Sequence, residues 1–161
     1  MNLRPLLKGT QLPVRAAVGA GLSLALARTF GLEYPIYAFL AAVIVTDLSP
    51  AQTRQLAWRR LVATVVGATC GAALSQSLPP GPWSIALGVL IAMLLCNLVR
   101  MQEGAKVAGY ICGIILFSYG TEPWAYAYYR LIETLLGIGV AWSLSLVPML
   151  IRFDEPEGPS V

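Results

Sequence analysis

A chain of 161 residues with 57% hydrophobic and only 12% charged residues is not composed like a soluble domain, where about a quarter carry charge. With mean hydropathy +0.70, the length has room for about six spans of ~20 residues and for no separate soluble domain. Histidine is absent, and the three cysteines lie inside apolar runs without CxxC spacing. A disulfide framework and a His/Cys metal site are thereby excluded, and no cofactor or nucleic-acid partner is expected.

The chain opens on a short basic stretch, 1–11, expected to be a cytoplasmic terminus and not a cleaved leader, because the apolar run after it leads into five more. A first helix is predicted over 12–30 and a second over 35–46, the latter short for a bilayer. The third, over 50–78, begins at Ser49-Pro50-Ala51-Gln52, which offers a capping hydroxyl, a proline at the first helical position and a glutamine three residues after the cap. Pro79-Pro80-Gly81-Pro82 cannot continue a helix and predicts a tight turn. A fourth helix follows over 82–99 and a fifth, again short, over 104–120. Thr121-Glu122-Pro123 repeats the cap-then-proline arrangement before a sixth over 123–152. The stretch 153–161 is acidic and proline-rich and is expected to be a disordered tail.

One phrase occurs twice. Arg60-Leu61-Val62-Ala63-Thr64-Val65-Val66-Gly67 returns as Arg130-Leu131-Ile132-Glu133-Thr134-Leu135-Leu136-Gly137, with further identities at Leu74/Leu144 and Ser75/Ser145. Each copy heads the third apolar run of its half. A unit with an odd number of crossings must insert its second copy upside down. The expected fold is therefore an all-α integral membrane bundle of six transmembrane helices, arranged as two inverted three-helix repeats over about 12–78 and 82–148 within a membrane domain 12–152.

Basic residues orient it. With six crossings, Arg4, Lys8, Arg15, Arg54, Arg59, Arg60, Arg100, Lys106 and Arg152 fall on the cytoplasmic side, against Arg28 and Arg130 outside, so both termini are expected in the cytoplasm. Trp124, Tyr126, Tyr128 and Tyr129 cluster where an outer aromatic belt would lie. Small residues recur every four positions at Ala17, Gly21 and Ala25, at Gly67 and Gly71, and at Ala105, Gly109 and Gly113, giving surfaces for close helix packing and for dimerisation.

Arg60 and Arg130 occupy the same repeat position, each with a threonine one turn later, Thr64 and Thr134. An arginine at membrane depth has an expense that calls for a function or an escape, and both roles are open: snorkelling to headgroups, or lining an anion pathway. In an inverted repeat the two Arg-Thr pairs would lie towards opposite faces, at two ends of such a pathway. Glu133 stands three residues beyond Arg130, in reach of an intrahelical ion pair, and is either its neutraliser or a proton-coupling or gating carboxylate. Arg15, Arg28 and Asp47 read as interface anchors near helix ends. No phosphate loop, nucleophile with its base, or paired catalytic carboxylates can be found, so an enzyme is not expected.

The run Val45-Thr46-Asp47-Leu48-Ser49-Pro50, followed by Trp58-Arg59-Arg60-Leu61-Val62-Ala63-Thr64-Val65-Val66-Gly67-Ala68, resembles the fusaric acid resistance and aromatic acid exporter superfamily. Plant aluminium-activated malate channels look like distant members. The resemblance implies efflux or channel-like passage of organic anions, often aromatic carboxylates, in a bacterial plasma membrane. By position it makes Arg60, Thr64, Arg130 and Thr134 the substrate-binding candidates, with Glu133 beside them. Many members have two six-helix units, or one unit and a large cytoplasmic domain; a single unit is expected to assemble, most simply as a homodimer. The competing expectation is a non-transporting membrane assembly or scaffold subunit that kept the bundle and lost the pathway.

Overall fold

The computed structural model describes residues 4–118 and 122–147, with side chains from Thr10 onward. Among the described residues there are six helices and no strand: α1 Arg4–Thr29, α2 Ile36–Val45, α3 Pro50–Ser75, α4 Pro82–Leu98, α5 Gln102–Ser118 and α6 Pro123–Ser145. Number, order and proline starts follow the sequence. The first helix begins well before residue 12 and runs through Pro13, whose ring removes one helical donor without ending the helix. Among the described residues no helix is long and apolar enough to cross a membrane. The third helix ends at Ser75 and the sixth at Ser145, short of the expected 78 and 152, with Gln76 and Leu146 as their C-caps. The expected end of the fifth helix at 120, the Thr121 cap and the acidic tail lie outside the described residues.

Proline starts and helix ends behave according to local chemistry. Pro50, Pro82 and Pro123 each sit in the first turn, where a missing N–H removes nothing. Ser49 takes the extended N-cap backbone, but its hydroxyl makes no capping bond. Its N–H instead donates to the Asp47 carboxylate at 3.1 Å, and the Asp47 N–H donates to the Thr53 hydroxyl at 3.2 Å. At the end of α1, Gly31 adopts φ +65°, and Leu32 N–H reaches back to the Ala27 carbonyl at 3.0 Å. This reversal satisfies helix-end carbonyls and favours glycine. The end of α4 makes the same turn with Arg100 at φ 57° and Met101 N–H on the Cys96 carbonyl at 2.9 Å.

The two halves pack alike. α3 and α6 lie against each other; α3 also packs on α5 and α4, while α6 packs on α2 and α1. Gly67 abuts the backbone of Ala108, and Gly137 abuts the backbone of Ala38, so each partner has its counterpart seventy positions away. Gly19 faces Leu144, Thr46 and Ala42, and Gly88 faces Leu74, Leu116 and Cys112; these neighbours pair at seventy positions, although the two glycines stand one residue off that register. Burial repeats position for position between 57–67 and 127–137. Exchanging the halves returns the same neighbours.

The interior is built mostly of small residues with several polar groups among them, while large apolar side chains lie on the surface. Alanines, cysteines, Ser23, Thr53, Thr64, Thr134, Arg60, Arg130 and Glu133 are buried, whereas Phe30, Trp58, Trp83, Leu98, Phe117 and Tyr128 are each more than 60% exposed. A water-soluble core is built the other way round. Small buried residues bring helix backbones close, and the polar groups lie at the helix contacts.

Candidate functional site

The duplicated arginines meet. Arg60 lies on α3 and Arg130 on α6, each more than a turn inside its helix, and both side chains are buried, at 2% and 0% exposure. Their guanidinium carbons stand 5.6 Å and 5.5 Å from the centre of one ring, that of Tyr110 on α5. The expectation that the two Arg-Thr pairs lie towards opposite faces is therefore corrected. α3 and α6 pack together, and the depth of each arginine brings both to the same region.

Their surroundings differ. Arg130 stacks on the Tyr37 ring, with 3.3 Å from guanidinium carbon to ring centre, and donates through Nη1 to the Tyr126 hydroxyl at 3.4 Å. Tyr126 in turn donates to the Tyr37 hydroxyl at 2.7 Å. Tyr34 packs edge-on against Tyr126, with ring centres 5.1 Å apart. Arg60 lies over the Tyr110 ring, and its Nε, Nη1 and Nη2 are all buried without a hydrogen-bond partner among the described residues. Tyr110 itself is 37% exposed, so the ring over the buried arginines also reaches the surface.

Glu133 does not form the expected ion pair. One carboxylate oxygen accepts the backbone N–H of Tyr34 at 2.6 Å, while the other is buried without a partner. Glu133 thus ties α6 to the chain entering α2, next to the Arg130–Tyr37 stack. Thr64 and Thr134 are both fully buried. The Thr64 hydroxyl donates to its own helix at the Arg60 carbonyl, 2.8 Å away, whereas the Thr134 hydroxyl has no partner among the described residues.

Buried guanidinium donors without an acceptor are costly, and the three of Arg60 with the two left on Arg130, beside an aromatic face, suit a small anion that accepts charge-assisted hydrogen bonds. Comparison with known proteins bears on what such a group serves. The family described as fusaric acid resistance protein-like matches residues 22–144. The chain belongs to that family. It is also similar to UPF0421 proteins of two Staphylococcus epidermidis strains, ATCC 12228 and RP62A, each 24% identical over 115 residues, or 70% of this chain. The chain spans about a third of the length of these curated relatives (35%). No solved structure matches it. Family membership points to a membrane-transport-related role, and the staphylococcal relatives point to a bacterial setting.

Within this family member the five sequence candidates fall on the α3–α6 core. Arg60 and Arg130 converge on one ring, Thr64 lies one turn beyond Arg60, and Glu133 and Thr134 lie one turn beyond Arg130. Sequence reasoning missed Tyr37 and Tyr110 and read Tyr126 as part of a surface belt, although it is 2% exposed. A phenol in the otherwise apolar run of α5 was the available signal for Tyr110. Arg15 is also more than an anchor: it is buried, donating to the Leu48 carbonyl at 3.2 Å and the Val147 carbonyl at 2.8 Å, where it ties together the ends of α2 and α6. Among the described residues no group of acidic, cysteine or histidine side chains could hold a metal.

Proposed function

We propose that this protein moves small organic anions, aromatic carboxylates among them, across a bacterial plasma membrane as an exporter or channel, working as a homodimer. One observation carries the reading. Two buried arginines converge on a surface-reaching tyrosine, and five of their nitrogens lack an acceptor among the described residues. Guanidinium binds carboxylate with planar, bidentate geometry that an ammonium group does not reproduce.

Membrane residence is supported by the large apolar side chains on the exterior and the small and charged residues buried inside. Individual helices fall short of apolar spans partly because their packed faces carry Arg15, Arg60, Arg130 and Glu133. Such groups are tolerated at depth when they face the bundle. The exchange of neighbours between halves supports two inverted repeats, and the basic residues support cytoplasmic termini. Of the three small-residue stripes, those of α3 and α5 are occupied within the chain. Ala17, Gly21 and Ala25 on α1 remain exposed, with nothing within 4 Å of a methyl at Gly21, which leaves that face for a second copy.

The test is benzoate flux into proteoliposomes, with and without a proton gradient. Arg60→Gln and Arg130→Gln should abolish most of it, and the lysine variants should reduce it although charge survives. The double variant Arg130→Gln with Glu133→Gln keeps the helix neutral and separates binding from insertion. Wild-type flux by that variant at equal protein level would contradict a role for Arg130. Snorkelling arginines would instead leave flux per molecule intact in every variant.

A further inference from the structure

The two arginines are equivalent by the internal repeat but not by their surroundings. Neighbours seventy positions apart show where the symmetry fails. Tyr37 under Arg130 has Val107 as its counterpart in the other half; Tyr126 has Leu56, and Glu133 has Ala63. The half of the fold that holds Arg130 thus supplies a stacked ring, a hydroxyl acceptor and a carboxylate one turn away. The half that holds Arg60 replaces all three with aliphatic side chains. The shared Tyr110 ring is Arg60's sole aromatic neighbour among the described residues.

Charge leads to the same division. Arg15, the fourth buried ionic group, is satisfied by main-chain carbonyls at the ends of α2 and α6. With Glu133 ionised, Arg60, Arg130 and Glu133 at the α3–α6 contact leave one positive charge uncompensated. Arg130 has Glu133 on the next turn of its own helix and the π face of Tyr37 against it. Arg60 has no carboxylate partner among the described residues, and Arg130 opposes its charge. The uncompensated charge therefore resides at Arg60, which also has the larger number of donors lacking an acceptor. A second anion would find Arg130 covered by its tyrosines.

We propose that Arg60 is the anion ligand, that Arg130 is a positioning residue locked by Tyr37 and Tyr126, and that each chain holds one monoanion beside Tyr110. Arg130 shapes the site by fixing α2 against α6 and by holding Arg60 at a distance through like charge. The inference rests on the anion-transport reading and deepens it, and the two can fail separately.

The test is titration calorimetry of the full chain in detergent with benzoate as the probe, paired with thermal unfolding of each variant. Arg60→Lys should raise the Kd at least tenfold while the unfolding midpoint stays near wild type, because it breaks no hydrogen bond within the protein. Arg130→Lys should lower the midpoint, and its effect on Kd should be smaller than that of Arg60→Lys by a factor of ten or so. Tyr37→Leu, which removes the stacked ring without touching charge, should follow Arg130→Lys in both readouts and serves if that variant does not fold. Stoichiometry should be one benzoate per chain. Equal loss of affinity in folded Arg60→Lys and Arg130→Lys would overturn the division, as would a Tyr37→Leu variant that loses affinity without losing stability, or two benzoates per chain. A folded wild type with no saturable benzoate binding would remove the anion reading itself.

Discussion

Replacing Gly137 with alanine asks the α2–α6 contact to accept one methyl group where no space exists. An added Cβ would collide with the Ala38 carbonyl oxygen and would lie 2.8 Å from the Ala41 Cβ and 3.0 Å from the Ala42 backbone nitrogen. Two of these neighbours are backbone atoms, so no rotamer change relieves them; the helices must separate by roughly 1 Å to restore normal contact. Overpacking costs about 1–3 kcal/mol, here near the upper end, and the better helix propensity of alanine returns about 1 kcal/mol, for a net loss of about 2 kcal/mol. Gly139 on the same helix has nothing within 4 Å of an added Cβ, so Gly139→Ala should instead gain about 0.5–1 kcal/mol. Gly67→Ala, which would place its Cβ 2.5 Å from the Ala108 carbonyl oxygen, should lose about as much as Gly137→Ala. Equilibrium unfolding in mixed micelles, by titrating SDS into a mild detergent, measures all three. Equal stability of Gly137→Ala and Gly139→Ala would refute the packing, and a large difference between Gly67→Ala and Gly137→Ala would refute the equivalence of the halves.

Three further outcomes follow from local chemistry. Glu133→Leu removes the acceptor of the Tyr34 N–H and should destabilise by about 1–3 kcal/mol, whereas Glu133→Gln keeps a carbonyl acceptor and should lose less; the same unfolding assay separates them. Arg100→Gly relieves a left-handed backbone conformation that glycine tolerates and should stabilise by about 1 kcal/mol, with a neutral or negative result contradicting the helix-end turn. Cysteines introduced at Gly9, Pro80 and Gly158 should divide under impermeant labelling of whole cells, with Pro80→Cys alone modified from outside; cytoplasmic labelling at Pro80 would break the inverted arrangement.

Much of this fold is written in its punctuation. Prolines at 50, 82 and 123 mark three helix starts, and the paired Arg-Leu-x-x-Thr-x-x-Gly phrases give the register in which the halves repeat. Gly67 was readable as a close-approach residue from its spacing to Gly71, though not which backbone it would touch, and Gly137 stood in the sequence only as its repeat counterpart. The start of α1 was hidden because charged Arg4 and Lys8 and the ring of Pro13 interrupt its apolar pattern, while the helix continues through them. The site was legible only in its charges. Arginine and threonine at equivalent positions named candidates, but their meeting depends on where α3 and α6 touch, which periodicity does not encode. Tyr34, Tyr37 and Tyr110 come from three other segments, and Glu133 chose a backbone N–H from a distant connection in place of the arginine one turn away. Long-range hydrogen bonds of that kind leave no local spacing signal.

Crystals grown with 4-iodobenzoate test the central claim most directly, because iodine's anomalous scattering locates the anion without assumption. The account predicts one strong peak per chain, with the carboxylate on the Arg60 guanidinium and the ring beside Tyr110. Peaks confined to the apolar groove between α3 and α6 at Val65, Trp124 and Tyr128, with the Arg60 guanidinium still without an acceptor, would contradict it.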